Sequence, residues 1–295
     1  MKNDINGIVL LNKPQGLSSN ALLQQVKRLF NAKKAGHTGS LDPLATGMLP
    51  ICFGEATKFC QYLLDADKTY IATGLLGVKT NTADALGEVI EKAPPFAITK
   101  NELLAVLSQF NGKIKQIPSM FSALKHKGQP LYKLAREGKT IERAAREVSI
   151  YALELFAFDG QYFEIKVSCS KGTYIRNLVE DIGDTLGVGA HVTQLHRTST
   201  AGFSSEQMHT LLELQEKTVV ELNQCLLPVD SAIQKLPSLS LTSQQLLSLR
   251  QGKRIMGIAF QTIGSVRLYN EEGEFVGLGE LMESGELSVK RLLAF

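Results

Sequence analysis

A single carboxylate and a single imidazole stand in the otherwise uncharged stretch GHTGSLDPLATG, residues 36 to 47. Around Asp42 and His37 there are only small, apolar or hydroxyl side chains and one proline. An acid set apart from other charge suits two tasks: capping a helix, or acting as a nucleophile or general base. Asp42 followed by Pro43 fits the first, as an N-cap with proline at the first helical position. GHTG resembles a backbone nest for phosphate, but the GxxxxGK[ST] spacing of a P-loop is missing. Arg176, in KGTYIRNLVED, precedes Glu180 by four residues, so an exposed helical ion pair accounts for it cheaply. Tyr70, in DKTYIATG, passes as a strand aromatic. Taken singly, these residues leave the structural and the chemical accounts both open.

The elements that must position them are partly legible. GIVLLNK has the pattern of a short buried strand, followed by a PQG turn and a helix capped near Ser19 or Asn20. EATKFCQYLL is expected to be helical and KTYIATGLLG a strand. Thr99 and Glu102 have capping-box spacing and start a helix. EVSIYALELFAF and YFEIKVSCS flank Asp159-Gly160 as a long antiparallel hairpin. TYIRNLVEDIGDTLG predicts an amphipathic helix closed by Gly187, and Thr242 with Gln245 box a later one. Strands and helices mix without strict alternation, which predicts an α+β fold with a central antiparallel or mixed sheet. Two prolines, Pro228 and Pro237, punctuate the chain before a β-rich tail. The expected division is a large domain over 1–234 and a small module over 235–295.

Composition bounds the rest. The 295 residues are 44% hydrophobic and 21% charged, ordinary for a globular chain, and the net charge of +3 is too mild to identify a polyanion partner. The N-terminal apolar run is four residues long and no later segment reaches membrane length, so no membrane association is expected. Cys52, Cys60, Cys169 and Cys225 are far apart without CxxC spacing, which predicts reduced thiols in a cytoplasm and no zinc site. Local charge says more. Residues 113–146, within an insertion expected over about 112–147, hold nine Lys/Arg against two Glu, a local +7. Phe121, His126 and Tyr132 are interleaved. Basic groups neutralise phosphates and aromatic faces stack on unpaired bases, and solvated helices usually mix both signs; nucleic acid is the favoured partner.

Together the blocks match a family. GHTGSLDPLATGMLPICFGEATKF closely resembles the catalytic motif of the TruB-type tRNA pseudouridine synthases. GIVLLNKPQGLSS, DKTYIATGLLGVKTNTADALG, IPSMFSALKHKGQPLYKLAREG, CSKGTYIRNLVEDIG and LHRTSTAGF agree with further family blocks in the same order. The resemblance runs from about residue 7 to 203, and the tail is similar to a PUA-type RNA-binding module.

The resemblance implies isomerisation of uridine 55 in the T loop of tRNA, with no metal, cofactor, or protein partner required, by a monomer. It makes Asp42 the catalytic acid, Arg176 its partner, and Tyr70 and Leu195 the two sides of the base slot. Whether the acid attacks the ribose C1′ or the base, or stabilises the detached sugar, is left open by the sequence. By the same resemblance His37 takes the space of the flipped base, Lys13 supports the pocket with Pro14, and Asp84 is a further pocket acid. Lys125, Lys127, Tyr132 and Arg136 are expected to grip the T arm. Asn81, Ser119 and His196 depart from the family pattern without touching the Asp42, Tyr70 and Arg176 set. Six Glu between 271 and 286 leave Arg250, Lys253 and Arg254 as the tail's candidate RNA contacts. The alternatives are a tRNA-binding or folding chaperone with secondary catalysis, and a guide-RNA-dependent synthase.

Overall fold

The computed structural model describes residues 2–258 and 262–294. The chain begins with β1 (Gly7–Lys13), α1 (Ser19–Leu29), β2 (Ala35–His37), β3 (Thr46–Phe53), α2 (Cys60–Asp65) and β4 (Lys68–Leu76). A hairpin of β5 (Val78–Thr80) and β6 (Val89–Lys92) leads to α3 (Lys100–Gln109) and β7 (Gly112–Gln116). The basic stretch carries β8 (Lys125–His126), β9 (Gln129–Pro130) and α4 (Leu131–Arg136). The chain then returns as β10 (Arg146–Phe158), β11 (Tyr162–Cys169), α5 (Ile175–Thr185) and β12 (Ala190–Thr200).

Eight strands form the central sheet, in the order β1-β3-β12-β4-β11-β10-β7 with β2 beside β3. The α+β fold with a mixed sheet is the one expected. Strand β1 is buried on both faces because alternate side chains enter different cores. Val9 and Leu11 pack with Leu22 and Val26 of α1. Ile8 and Leu10 pack with Phe59, Leu63 and Leu278. Further along the sheet, Ile165 and Val167 of β11 and Ala72 of β4 meet Leu178, Val179 and Ile182 of α5. Local signals hold where they were strongest. Thr99 Oγ1 accepts from Glu102 N and Glu102 Oε2 accepts from Thr99 N (2.7 Å). Asp159 Oδ1 accepts from the amides of Gln161 and Tyr162, closing the β10–β11 turn. The cap of α1 is Ser18, one residue earlier than expected.

One strand pair in this sheet is parallel. His196 and Arg197 of β12 lie beside Thr46 and Gly47 of β3. At that contact Gly47 has φ +98°, and a Cβ there would lie 2.3 Å from the Arg197 carbonyl oxygen. Neither the backbone angle nor the space accepts a side chain. Gly47→Ala is expected to destabilise the protein by roughly 3 kcal/mol, seen as a lowered midpoint in denaturant. An unchanged midpoint would show that this strand junction is not tight.

The basic segment needs a correction. Its ends are not insertion, because Gly112–Gln116 pairs antiparallel with β10 from Arg146 to Ile150. Only residues 117–145 leave the sheet. They enclose a small core of Met120, Leu131 and Leu134. Lys127 (φ +48°) and Gly128 (φ +84°) form the two-residue turn of the β8–β9 hairpin, with the positive angles a type I′ turn requires.

Beyond β12 the short helices α6 (Leu211–Gln215) and α7 (Val219–Gln224) close over α1, with Leu214 and Leu222 in its core. Four strands, β13 (Ser238–Ser240), β14 (Gly264–Tyr269), β15 (Phe275–Leu281) and β16 (Leu287–Leu292), form a second sheet, with α8 (Ser243–Arg250). Thr242 and Gln245 cap α8 as expected. This sheet is fastened to the first part of the chain: Phe275 stacks edge-on against Phe59 at 5.5 Å, and Lys58 Nζ donates to the Leu292 carbonyl (2.9 Å).

Candidate active site

Asp42 lies in an irregular loop between β2 and β3. No helix starts at Pro43; the Ala45 amide closes a turn onto the Asp42 carbonyl (3.1 Å), so the capping account fails. The Asp42 carboxylate faces a cleft of about 310 Å³, with 41% of its side chain open to it. Arg176, at the start of α5 and buried, donates Nε to Asp42 Oδ2 at 2.9 Å. Its other two nitrogens are also used, Nη1 on the Thr82 carbonyl and Nη2 on the Phe121 carbonyl, both at 2.7 Å. The local pairing with Glu180 is not made; Glu180 lies 4.0 Å from Lys79 instead.

Behind the arginine sits a second acid. Asp84 Oδ2 is 3.7 Å from Arg176 Nη1, while Asp84 Oδ1 accepts from Thr82 Oγ1 (2.7 Å) and the Leu86 amide (3.0 Å). Burial raises the Asp42 pKa above the ordinary aspartate value. Arg176 works against that rise, Asp84 adds to it, and Lys13 lowers it from a distance. Desolvation therefore outweighs the guanidinium. The acid limb of any activity that needs ionised Asp42 is expected above the range of an exposed aspartate.

Opposite stand Tyr70 of β4 and Leu195 of β12, both buried and both lining the cleft. Their strands are neighbours, with Tyr70 paired in register to Arg197. Burial raises the Tyr70 phenol pKa, with Arg197 opposing, so the hydroxyl keeps its proton at neutral pH. The cleft thus combines apolar side chains such as Leu41, Tyr70 and Leu195 with an ionisable acid, its arginine and a protonated phenol. That arrangement suits a flat uncharged ring held for attack by a carboxylate.

The remaining sequence-derived residues are placed differently. Lys13 is fully buried beneath the loop, its Nζ donating to the Pro14 (2.9 Å) and Leu17 (2.7 Å) carbonyls. Burial holds its pKa down at about 8, with Asp42 opposing. His37, on β2, is half-buried with an unpartnered Nδ1 and does not line the cleft; burial, then Arg197, lowers its pKa. Lys125 and Lys127 are exposed on the insertion. Arg136 lies 5.6 Å over the Tyr132 ring, so an intramolecular cation already covers one face of that aromatic.

Among the cleft residues that the sequence does not single out are Lys68, Ser122, Tyr174 and Arg197. The strand period held the signal for two of them. Lys68 is two residues before Tyr70, and Arg197 two after Leu195, so each shares its neighbour's face. The three departures from the family pattern are all hydrogen-bonded, two within their own segments and His196 across to β3. Asn81 Oδ1 accepts from Glu88 N, Ser119 Oγ from Phe121 N, and His196 Nδ1 lies 2.8 Å from Thr46 Oγ1. A larger concavity of about 700 Å³ opens between the insertion and α5. It mixes Lys139 and Arg143 with Glu180 and Asp181, whereas the Asp42–Arg176 pair opens into the smaller cleft.

The profile described as TruB family pseudouridylate synthase (N terminal domain) matches residues 27–175. The tRNA pseudouridylate synthase B C-terminal domain matches 176–234, and the pseudouridine synthase II TruB C-terminal region matches 237–293. A tRNA pseudouridine synthase B of Legionella pneumophila (strain Philadelphia 1) is 58% identical over 99% of this chain and 96% of its own length.

The chain belongs to the TruB family of pseudouridylate synthases.

A second such protein, from Tolumonas auensis, is 50% identical over 98% of this chain and 93% of its own. Among solved structures, a crystal structure of a Cbf5-Nop10-Gar1 complex superposes with a TM-score of 0.74 at 25% identity. That match covers 97% of this chain and 84% of the other. Among the described residues no helix is long and apolar enough to cross a membrane.

Proposed function

We propose that this TruB-family enzyme converts uridine 55 in the T loop of tRNA to pseudouridine, with Asp42 as the attacking acid. The observation that carries the proposal is the Asp42–Arg176 pair opening into the cleft faced by Tyr70 and Leu195. The curated relatives named tRNA pseudouridine synthase B support tRNA as substrate. The C1′–N1 bond breaks, the uracil turns, C1′ bonds to C5, and the C5 proton is released while N1 gains one. The sum is an isomerisation, so no co-substrate is consumed. Arg176 keeps an ionised carboxylate available in a partly desolvated site and aims it with its planar fork. Tyr70 and Leu195 sandwich the uracil, which must first leave its stack at a cost of a few kcal/mol.

The insertion is the surface that meets the T arm. Lys125 and Lys127 extend from its hairpin as phosphate contacts. Replacing both by Ala is expected to weaken tRNA binding and reduce the slope of log K against log salt by about one per lost phosphate contact. A salt slope equal to wild type would remove this hairpin from the interface. The second sheet, after residue 234, acts as a PUA-like RNA-binding module, with exposed Lys253 as its RNA contact. The enzyme works as a monomer in the cytoplasm.

The activity itself is tested by tritium release from tRNA labelled at uridine C5, followed by mapping of pseudouridine. Release from position 55, and from an isolated T-arm stem-loop, is expected without any other component. No release from either would overturn the proposal. Release only with an added guide RNA would assign the chain to the guided mode.

A further inference from the structure

The loop that carries Asp42 has neither helix nor sheet to hold it, yet the residues on both sides of the aspartate are tied down. Ser19 is the first residue of α1, but Ser18 is the helix cap, its Oγ accepting from Ala21 N. The Ser19 hydroxyl is therefore spare, and it turns the other way. It accepts from the Leu41 amide at 2.7 Å and donates to the Leu41 carbonyl at 3.0 Å. Both backbone polar groups of the residue before Asp42 are thus satisfied by one buried side chain. On the other side, the Gly16 amide donates to the Pro43 carbonyl at 2.7 Å. Gly16 itself sits in the turn that Lys13 braces from below.

A second jaw grips the loop further out. Arg197, fully buried, donates Nε to the Met48 carbonyl (2.6 Å) and Nη2 to the Gly39 carbonyl (3.2 Å). One guanidinium so spans the loop from residue 39 to residue 48. The aspartate has a single rotatable arm of two bonds, so its carboxylate position is set by this backbone as much as by Arg176.

We infer that Ser19 and Arg197 are positioning residues for the reaction: they clamp the backbone on either side of Asp42 so that its carboxylate meets both Arg176 and the target nucleotide. The inference rests on Asp42 being the catalytic acid.

Ser19→Ala is the primary test because it removes one oxygen and adds no bulk. Freed from the hydroxyl, the Leu41 backbone groups seek other partners and the loop shifts. A displacement near 1 Å at the acid corresponds to about a 10²-fold loss in kcat. The KM and Kd for tRNA are expected to stay within about threefold of wild type. As Asp42 draws away from Arg176, the acid limb of the kcat profile moves to higher pH. Arg197→Lys, which cannot span both carbonyls, is expected to show the same split. Ser231→Ala, at a buried serine far along the chain, is the control and should leave kcat unchanged.

All rates are taken well below each variant's melting temperature, with folded protein counted by active-site-independent spectroscopy. A lowered melting temperature with wild-type kcat and an unmoved acid limb in Ser19→Ala would show that the hydroxyl only stabilises the fold. That outcome overturns the inference. Asp42→Asn is assayed alongside: if it keeps activity, the acid assignment fails first, and the clamp has nothing to position.

Discussion

Asp42→Asn lowers kcat by about 10⁴-fold or more, the scale seen when a nucleophile is removed. The substitution keeps the shape of the side chain and removes only its charge and its ability to attack. The surroundings tolerate it. Arg176 retains the Thr82 and Phe121 carbonyls and has Asp84 at 3.7 Å, so its buried charge is not orphaned. Binding of tRNA therefore stays within about threefold, because the insertion and the flanking surfaces are intact. Single-turnover tritium release gives the first quantity and filter binding the second. Activity within tenfold of wild type would remove Asp42 from the chemistry, and lost binding together with lost activity would point to a misfolded loop.

Arg176→Lys has the next largest effect, about 10²- to 10³-fold in kcat. A lysine has the charge but one nitrogen in place of three, and here all three are engaged, on Asp42, Thr82 and Phe121. Losing the fork releases three segments at once: the acid loop, the turn before Asp84, and the base of the insertion. The pH profile distinguishes this from a general loss of stability. Arg176 is the largest influence lowering the Asp42 pKa against the rise that burial causes. With that influence weakened, the carboxyl holds its proton to higher pH. On the proposed mechanism ionised Asp42 is the active form, so activity that falls as pH drops falls sooner, and the acid limb shifts upward. Wild-type kcat and an unmoved acid limb in the variant would reduce Arg176 to a structural ion pair.

Much of this was legible in sequence wherever the signal was local. Thr99, Thr242 and Asp159 mark their caps and turn through hydrogen bonds to residues two or three positions away, and all are made. The acid, the arginine and the two slot residues were legible through motif resemblance and lie on one cleft. What could not be read were contacts decided by the parallel placement of β12 beside β3. Arg197 reaches Met48 and Gly39 only because that pairing exists. Asp42 before Pro43 has the local chemistry of a cap; the loop instead takes its shape from Ser19, Gly16 and Arg197. Arg176 likewise ignores Glu180, four residues away, for a partner across the sheet. In the basic stretch, charge counting overran the part that leaves the sheet, because Lys113, Lys115 and Arg146 belong to paired strands.

The parallel pairing also fixes when the cleft comes into being. Thr46 and Gly47 wait for His196 and Arg197, a sequence separation of about 150 residues that no local contact can shorten. A nascent chain leaving the ribosome has made Asp42 and Tyr70 long before it makes Arg176, Leu195 or Arg197. Until then the acid loop has lost its outer brace and the slot lacks a wall. Catalytic competence is consequently a late event of synthesis, reached only when most of the polypeptide is available to close the sheet upon itself.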